Sequence, residues 1–246
     1  MAWRSSGATN AALIENLATN GLITQSRVKQ AMLSVDRAHY SPAAPYQDSP
    51  QSIGHRATIS APHMHASAAE SLLPYLSPGA KVLDIGSGSG YLTHVLAELV
   101  QPGGKVVGVE HLQALVELGK GNMARSERGR GLLESDNVRF VKGDGRNGWQ
   151  DDAPYDAIHV GAAAKGFHEA LIEQLKAPGR QVLRSPFVMR SWLERLAKSR
   201  QWRLFMPVEE NYMQHIYVID KSEDGTVTKT KDMGVQYVPL TDAYAE

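Results

Sequence analysis

The sequence predicts an α/β domain with a doubly wound, mostly parallel sheet that a C-terminal antiparallel pair of strands closes. Three observations predict this fold. From Lys81 onward, short apolar runs typical of strands alternate with helical periodicity, which is the pattern of βαβ units. A glycine-rich turn at 84–90 joins one of these strands to the next helix. The chain of 246 residues is 42% apolar and 21% charged, which is enough to bury a globular core.

The first 76 residues are predicted to form helices and a long loop. Apolar residues recur at helical spacing from Asn10 to Val35, and Asn20-Gly21 interrupts them, so we predict two short helices. The segment 36–62 is rich in Pro, Ser, Gln and Tyr, and ordered loops of this length usually serve a site. A further helix is predicted from His65 to Leu76, where a Ser-Pro-Gly sequence ends it.

The remainder of the chain is predicted to form the core of a single domain over 1–246. Strands are predicted at 81–85, 105–109, 138–142, 155–160 and 203–208, and helices at 91–100, 112–123 and 167–175. Two further strands, at 214–220 and 235–240, are joined by a turn sequence and form the antiparallel pair. We therefore expect an N-terminal part, 1–76, and a core, 77–246.

Charge and cysteine content exclude several classes of protein. The chain has 26 basic and 26 acidic residues, so nothing indicates a nucleic-acid-binding surface. It has no cysteine, which excludes disulfides, cysteine-based zinc sites and a cysteine nucleophile. No apolar run approaches the roughly 20 residues of a membrane span, and the first residues do not resemble a signal peptide. We expect a cytosolic protein without nucleic-acid or membrane partners.

The segment Asp84-Ile-Gly-Ser-Gly-Ser-Gly90 follows a predicted strand and precedes a predicted helix. Its glycines allow a tight turn and close approach of a ligand, and the helix start offers free N–H groups. Alone, such a turn could be a plain strand-to-helix connection. Glu110, however, ends the next strand, where a carboxylate can accept hydrogen bonds from both ribose hydroxyls. The pair indicates a nucleoside site.

The spacing of this loop discriminates between nucleosides. In the dinucleotide fingerprint Gly-x-Gly-x-x-Gly the helix start faces a pyrophosphate, but here the third glycine comes one residue early. Asp84 would repel a pyrophosphate and would suit the cationic amino-acid end of S-adenosylmethionine. Asp144 follows the third strand, where it can meet an adenine amino group or simply form a turn. Three carboxylates at successive strand ends favour a sulfonium nucleoside over NAD.

Longer motifs then make the interpretation specific. They are Asp-Ser-Pro-Gln-Ser-Ile-Gly at 48–54, Ala-Thr-Ile-Ser-Ala-Pro-His-Met-His at 57–65, the loop at 84–90, Pro-Tyr-Asp-Ala-Ile-His-Val-Gly at 154–161 and Tyr-Val-Pro-Leu-Thr-Asp at 237–242. With them the chain closely resembles the protein-L-isoaspartate O-methyltransferase family. The resemblance implies a Rossmann-like class I methyltransferase that uses S-adenosylmethionine and releases S-adenosylhomocysteine. Its substrates would be L-isoaspartyl and D-aspartyl residues in damaged proteins and peptides, whose methyl esters collapse to a succinimide that can reopen to aspartate. We expect a monomer.

The resemblance also implies site residues, with Ser60 as the catalytic one. A carboxylate is ionised at neutral pH and attacks without losing a proton, so Ser60 would hydrogen-bond and orient it. Alternatively, its hydroxyl could bond its own loop backbone. The residues assigned to the cofactor, from the loop, the carboxylates or the resemblance, are Ala57, Thr58, Ile59, His65, Asp84, Gly86, Ser87, Gly88, Ser89, Gly90, Glu110, His111, Leu112, Gln113, Ala114, Gly143, Asp144 and Thr241. Those assigned to the substrate are Ile59, Ser60, His159, Val160, Gly161, Val238, Pro239 and Leu240.

Three other signals admit different interpretations. His63-Met-His65 could ligate a metal, but no third ligand stands at a suitable spacing, so we expect no metal and two hydrogen-bonding histidines. His159 in an apolar strand could be an ordinary core histidine, although the strand's carboxyl end is where open α/β sheets bind ligands. The Tyr-x-x-x-Lys of dehydrogenases, matched at 217–221, requires a helix, and this segment alternates as a strand.

One segment interrupts the resemblance. Family members typically run from Leu-Lys-x-Pro-Gly-Arg directly into a strand like 203–208, whereas here 181–202 intervenes. This insertion has a net charge of +4 and leaves the rest at −4. It could form a basic amphipathic helix for a membrane surface or an acidic partner. We favour a surface excursion without function, because loops tolerate insertions at little thermodynamic cost.

Two alternatives to the isoaspartyl function stay open at this point. The chain could be a methyltransferase of the same fold that acts on another acceptor, or a cofactor-binding protein that the insertion has inactivated by displacing the strand at 203–208. Family members also usually continue further beyond Thr241-Asp242, so we expect any cofactor lid built from that tail to be short here.

Overall fold

We analysed a computed structural model, which describes residues 5–176 and 201–240. The strands of the described residues are β1 Gln51–Gly54, β2 Ala57–Ile59, β3 Lys81–Ile85, β4 Lys105–Glu110, β5 Val138–Lys142, β6 Ala157–Val160, β7 Gln201–Glu210, β8 Met213–Ser222 and β9 Val227–Val235. In this part of the chain β3 to β9 form a seven-stranded sheet with the order β5-β4-β3-β6-β7-β8-β9. The strands from β5 to β7 run parallel, and β8 and β9 are antiparallel additions. The predicted fold class is confirmed.

Helices cover both faces of the sheet. They are α1 Asn10–Thr19, α2 Ser26–Ser34, α3 Pro62–Leu72, α4 Tyr91–Leu99, α5 Gln113–Met123, α6 Glu127–Glu134 and α7 Glu169–Gln174. Successive strand side chains point to opposite faces, so Val82 packs into the core beneath α1 to α6 and Leu83 into the one beneath α7. Both side chains are completely buried. The sheet is therefore sandwiched between helices, as a parallel sheet requires.

The N-terminal part contains more structure than the sequence predicts. The two short helices are confirmed, but the segment 36–62 also contains the β1–β2 hairpin, which was missed. The next helix, α3, begins at Pro62 and not at His65. Pro is favoured in the first turn because its missing N–H needs no partner there. Asp48 accepts the His63 N–H at 3.0 Å and so satisfies another free donor of this turn.

The C-terminal part requires two corrections. The predicted strand at 235–240 is wrong, because the edge strand is β9, and residues 238–240 instead flank Ala163 through hydrogen bonds of 2.8 and 2.7 Å. In addition, α6 was not predicted. The strand at 203–208 is confirmed within β7, which starts at Gln201, so the last two residues of the predicted insertion belong to the sheet. The rest of the insertion lies outside the described residues.

The order of the strands creates a switch point. From β3 the chain moves outward through β4 and β5, and then returns to place β6 on the other side of β3. Ligands of open α/β sheets bind in the crevice at the carboxyl ends of such strands. No helix in the described part of the chain is long and apolar enough to cross a membrane.

Candidate active site

The glycine-rich turn lies at this switch point, directly between β3 and α4. Gly90 closes the turn with φ = +82°, a left-handed conformation that favours glycine. A Cβ atom on Gly90 would lie 3.0 Å from the carbonyl oxygen of Gly119 and from the Phe140 ring, so the position also requires a small residue. The turn is fixed to β4, because the Gly86 N–H donates to the Val109 carbonyl at 2.9 Å.

A cavity of about 240 Å³ lies over the carboxyl ends of β3 to β6; we call it the donor cavity. It is lined by the turn, by the residues after β4, β5 and β6, and by the segment 238–240. Of the residues assigned from the sequence, Ala57, Thr58, Gly86, Gly88, Glu110, His111, Leu112, Gly143, Gly161, Val238, Pro239 and Leu240 line it. The structure therefore brings together residues from six separate segments.

Glu110 is the most constrained side chain of the donor cavity. It is 5% exposed, and its Oε2 atom accepts the Gly88 N–H at 3.0 Å. Its Oε1 atom accepts the His111 N–H at 2.8 Å and also contacts the His111 ring, and that hydrogen bond raises the pKa of His111. A carboxylate oxygen has two acceptor positions, so Oε2 can still accept a bond from a ligand, whereas both positions of Oε1 are taken by His111.

A smaller pocket adjoins the donor cavity and shares part of its wall, at Thr58, Gly86, Gly88 and Gly161; we call it the acceptor pocket. The other residues assigned from the sequence that line it are Ile59, Ser60, His65, Asp84, Ser87, Ser89 and His159. The predicted catalytic residue and the predicted nucleoside loop thus line the same pocket, which shares a wall with the donor cavity.

Asp84 and His159 form a buried pair at the floor of the acceptor pocket. They are neighbours on β3 and β6, and the His159 Nδ1–H donates to Asp84 Oδ1 at 2.8 Å. Thr93 donates to the other carboxylate oxygen at 2.6 Å. This pairing fixes the ring of His159, whose Nε2 no described residue engages. His159 is therefore a buried histidine that also faces a site.

Ser60 is held from two sides by residues that the sequence analysis missed. Its carbonyl accepts a hydrogen bond of 2.7 Å from the Arg37 guanidinium. Its hydroxyl lies within hydrogen-bonding reach of Tyr237; burial raises the pKa of Tyr237, and the bond with Ser60 acts in the opposite direction. The backbone of Tyr237 is in turn bound on both its N–H and its carbonyl by Gln214. The hydroxyl of Ser60 thus lies near a side chain outside its own loop.

Some assigned residues lie elsewhere. The carboxylate of Asp144 is occupied by the side chain and the N–H of Arg146, bonds that hold the pKa of Asp144 below its ordinary value. Gln113 is exposed and bonds Glu117 at 2.8 Å, and Ala114 follows it on α5. Val160 is completely buried in the sheet. Thr241 lies outside the described residues, as does the tail from which a lid could form.

The two histidines of the 63–65 segment have separate hydrogen-bond partners. His63 contacts the Asp48 carboxylate at 2.8 Å, and His65 contacts Arg37 at 3.2 Å, so both are hydrogen-bonding residues as predicted. No group of three metal-ligating side chains occurs in the described ranges. The segment 217–221 lies on β8, as predicted, and so lacks the helix that dehydrogenases need there.

Comparison with known proteins gives one consistent result. The family model described as protein-L-isoaspartate(D-aspartate) O-methyltransferase matches residues 8–187 and 184–245. A Caenorhabditis elegans protein-L-isoaspartate O-methyltransferase is 52% identical over 183 residues, which is 74% of this chain and 80% of the relative. The wheat enzyme is 44% identical over 239 residues, covering 96% and 93% of the two chains. A Plasmodium falciparum crystal structure assigned to the same activity, in complex with S-adenosyl-L-homocysteine, has a TM-score of 0.79 at 32% identity and covers 96% and 99%.

Proposed function

Because the chain belongs to the protein-L-isoaspartate(D-aspartate) O-methyltransferase family, we propose that Ser60 is its catalytic residue. The protein transfers a methyl group from S-adenosylmethionine to the free carboxylate of isoaspartyl residues in damaged proteins. The methyl ester initiates repair through a succinimide. We further propose that the donor binds in the donor cavity and the isoaspartyl carboxylate in the acceptor pocket. The observation that carries this assignment is the wall that the two share.

The residues of the donor cavity fit the methyl donor. Gly86 and Gly88 allow close approach of a ligand to the backbone, and Oε2 of Glu110 offers a free acceptor position for a ribose hydroxyl. Ser87, which lines the adjoining acceptor pocket, has a buried hydroxyl without a partner in the described structure, and a bound ligand can supply one. When bound, S-adenosylmethionine supplies an electrophilic methyl group. The protein need only bind, orient and exclude water.

The acceptor pocket supplies hydrogen bonds for an anionic oxygen. The hydroxyl of Ser60 can donate to the isoaspartyl carboxylate and hold it against the shared wall. His159, oriented by Asp84, also lines this pocket. The backbone of 238–240, tied to Ala163, can flank an extended peptide. No base is required, because the attacking carboxylate is already ionised at neutral pH.

The test of this function uses labelled S-adenosylmethionine and two matched peptides that differ only in isoaspartate against aspartate. We expect label on the isoaspartyl peptide alone. Label on both peptides would indicate a methyltransferase for another acceptor. Label on neither, with S-adenosylhomocysteine still bound in calorimetry, would indicate an inactivated cofactor-binding protein. A third peptide with D-aspartate tests the wider acceptor range.

Replacing Glu110 by Gln is expected to weaken S-adenosylhomocysteine binding by about tenfold or more, which corresponds to about 1.4 kcal/mol. The amide removes the charge and one acceptor oxygen while preserving the shape of the side chain. Isothermal titration calorimetry measures the dissociation constant. Glu117→Gln is the matched control, because Glu117 lies nearby on α5 but bonds only Gln113 among the contacts of the described structure. Equal affinities for the Glu110→Gln variant and the unmodified protein would contradict the assignment of the cavity.

We also propose that residues 181–200 form an excursion from a single domain that does not contribute to catalysis. The described flanks support this. Leu175 lies beside Tyr155 in a parallel bridge, and Arg203 lies beside Ala157, so the chain leaves and rejoins the sheet next to the same part of β6. The family model also matches the chain in two parts, and these meet at residues 184–187, inside the proposed excursion. The last residues of the predicted insertion, Gln201 and Trp202, belong to β7 and are excluded from the excursion.

Deleting residues 181–200 is expected to change the melting temperature and kcat little, because the remaining four residues, 177–180, can connect flanks that lie so close together. Thermal unfolding and the isoaspartyl peptide assay measure the two quantities. A Gly-Ser segment of equal length in place of 181–200 is the control for shortening. If the deletion abolishes methylation while the Gly-Ser variant retains it, the length of the segment matters and its sequence does not. Loss of methylation in both variants would overturn the proposal.

We propose that the protein acts as a monomer in the cytosol. Sedimentation at assay concentrations and cell fractionation test the two statements, and a dimer or a membrane-bound fraction would contradict them.

A further inference from the structure

Arg37 is a buried cation beneath the active-site loop. Its residue exposure is 0%, and it lies in a short 3₁₀ turn that follows α2. No carboxylate oxygen of the described residues lies within ion-pair distance of its guanidinium. Burial lowers the pKa of Arg37 to about 10, while Tyr91 and Asp48 act in the opposite direction, so the side chain is charged at neutral pH. Burying an unpaired charge costs several kcal/mol, and generic packing does not explain its presence.

Among the described residues three groups contact this guanidinium, and two of them belong to the acceptor pocket. One amino group donates to the Ser60 carbonyl at 2.7 Å, and the other lies 3.2 Å from His65 Nδ1. The third contact is the face of the Tyr91 ring, whose centroid is 5.1 Å from the guanidinium carbon. The cation therefore links the backbone at Ser60 to the ring of His65.

The contact with His65 determines where that ring carries its proton. A guanidinium has only donors, so the His65 Nδ1 atom must accept and cannot carry hydrogen. The neutral ring then carries its proton on Nε2. No described residue engages this Nε2, and His65 borders the acceptor pocket, so the N–H is available to a ligand. Burial and then the charge of Arg37 hold the pKa of His65 well below its ordinary value.

We propose that Arg37 is a positioning residue of the acceptor pocket: its guanidinium holds the Ser60 backbone in place and keeps His65 as a neutral ring with an Nε2–H donor. The inference rests on the proposed role of this pocket. It assigns Arg37 no contact with the substrate. Both partners that Arg37 orders would instead present donors to anionic oxygen atoms of bound ligands, Ser60 through its hydroxyl and His65 through Nε2.

The direct test is the protonation of His65, read from ¹⁵N chemical shifts of the histidine rings in the ligand-free protein. A His65→Gln variant assigns the signal among the nine histidines. We expect His65 to be neutral from about pH 6 to 8, with its proton on Nε2. An ordinary histidine, with a pKa of about 6.5, would be mostly charged at the lower end of this range. The other groups that face the ring are Arg37, His63, His159 and Tyr91. A charged His65, or one protonated on Nδ1, would overturn the proposal without any substitution of Arg37.

Replacing Arg37 by Met extends the test to catalysis. We expect His65 to gain the second tautomer and a higher pKa, and kcat to fall at least tenfold at pH 8. The deficit should shrink toward acid pH, where protonation restores the Nε2–H; a merely structural role gives no such pH dependence. Arg37→Lys, which keeps a charged donor, should recover part of kcat. Arg27→Met is the matched control, because the Arg27 guanidinium also makes two hydrogen bonds, to the carbonyls of Leu76 and Leu99, but lies on α2, away from the site.

The outcomes separate the two proposals. If the His65 signal behaves as expected but the Arg37→Met variant keeps full kcat, the positioning role is overturned although the hydrogen bond exists. If the unmodified protein methylates neither matched peptide, the proposed function fails while the result for His65 stands. If Arg37→Met does not fold, the Arg37→Lys variant and the signal of the unmodified protein still decide the question.

Discussion

Replacing Asp84 by Asn is expected to lower kcat/KM for an isoaspartyl peptide by roughly 100-fold, an effect of about 3 kcal/mol. Asn has the same shape, and it can still accept the His159 Nδ1–H and contact Thr93, so the fold should survive. The substitution removes the negative charge of Asp84, a residue that is 1% exposed and that lies on β3 beside β6. The effect of a charge is large in a site that excludes water.

Two mechanisms for this loss can be separated by ligand choice. If Asp84 attracts the cationic amino-acid end of the donor, Asp84→Asn should weaken S-adenosylhomocysteine but not 5′-methylthioadenosine, which lacks that end. If Asp84 acts through His159, both ligands should bind normally, and Asp84→Asn combined with His159→Gln should cost no more than either substitution alone. We expect the first effect to dominate, because Asp84 begins the turn whose Gly86 and Gly88 line the donor cavity, although its own side chain lines the adjoining acceptor pocket.

The matched control is Asp156→Asn. Asp156 precedes β6 at the other end of the sheet, where its carboxylate accepts the Lys81 N–H and the Lys176 ammonium. The Asp156→Asn variant should have a lower melting temperature but an unchanged kcat/KM for the isoaspartyl peptide. Unchanged kcat/KM in Asp84→Asn, measured with a folded protein, would show that the carboxylate is only a structural partner of His159.

The pairing of Asp84 with His159 illustrates what the sequence can and cannot predict. Each residue was assigned to the site separately, one to the donor and one to the substrate. Their contact depends on the register of two strands that are 75 residues apart, in which Asp84 lies opposite His159. Apolar strands buried on both faces carry no alternation that fixes such a register.

The errors in the predicted fold have physical causes. The strand β9 is exposed along its length, and its Thr-Lys-Thr-Lys sequence lacks the apolar face by which strands are recognised. The β1–β2 hairpin has only four and three residues per strand, shorter than a periodicity can show. Arg37 was missed because an arginine in a polar segment is ordinarily exposed. Tyr237 lies in a motif that was quoted, but only its neighbours were assigned.

Replacing Ser60 by Ala is expected to lower kcat by roughly 10- to 100-fold, since a hydrogen bond to a charged group contributes about 1.5–3 kcal/mol. The dissociation constant for S-adenosylhomocysteine should change little, because Ser60 borders the acceptor pocket and not the donor cavity. The melting temperature should also change little, since Arg37 bonds the Ser60 carbonyl, which alanine retains.

Ser52→Ala is the matched control, because Ser52 is an exposed serine on the same hairpin, paired with Thr58, and does not border the pocket. Single-turnover assays with the isoaspartyl peptide separate the methyl-transfer step from product release. If the Ser60→Ala variant transfers methyl at the rate of the unmodified protein, the hydroxyl neither binds nor orients the acceptor. The Nε2–H of His65, which lines the same pocket, would then be the donor left to hold the carboxylate.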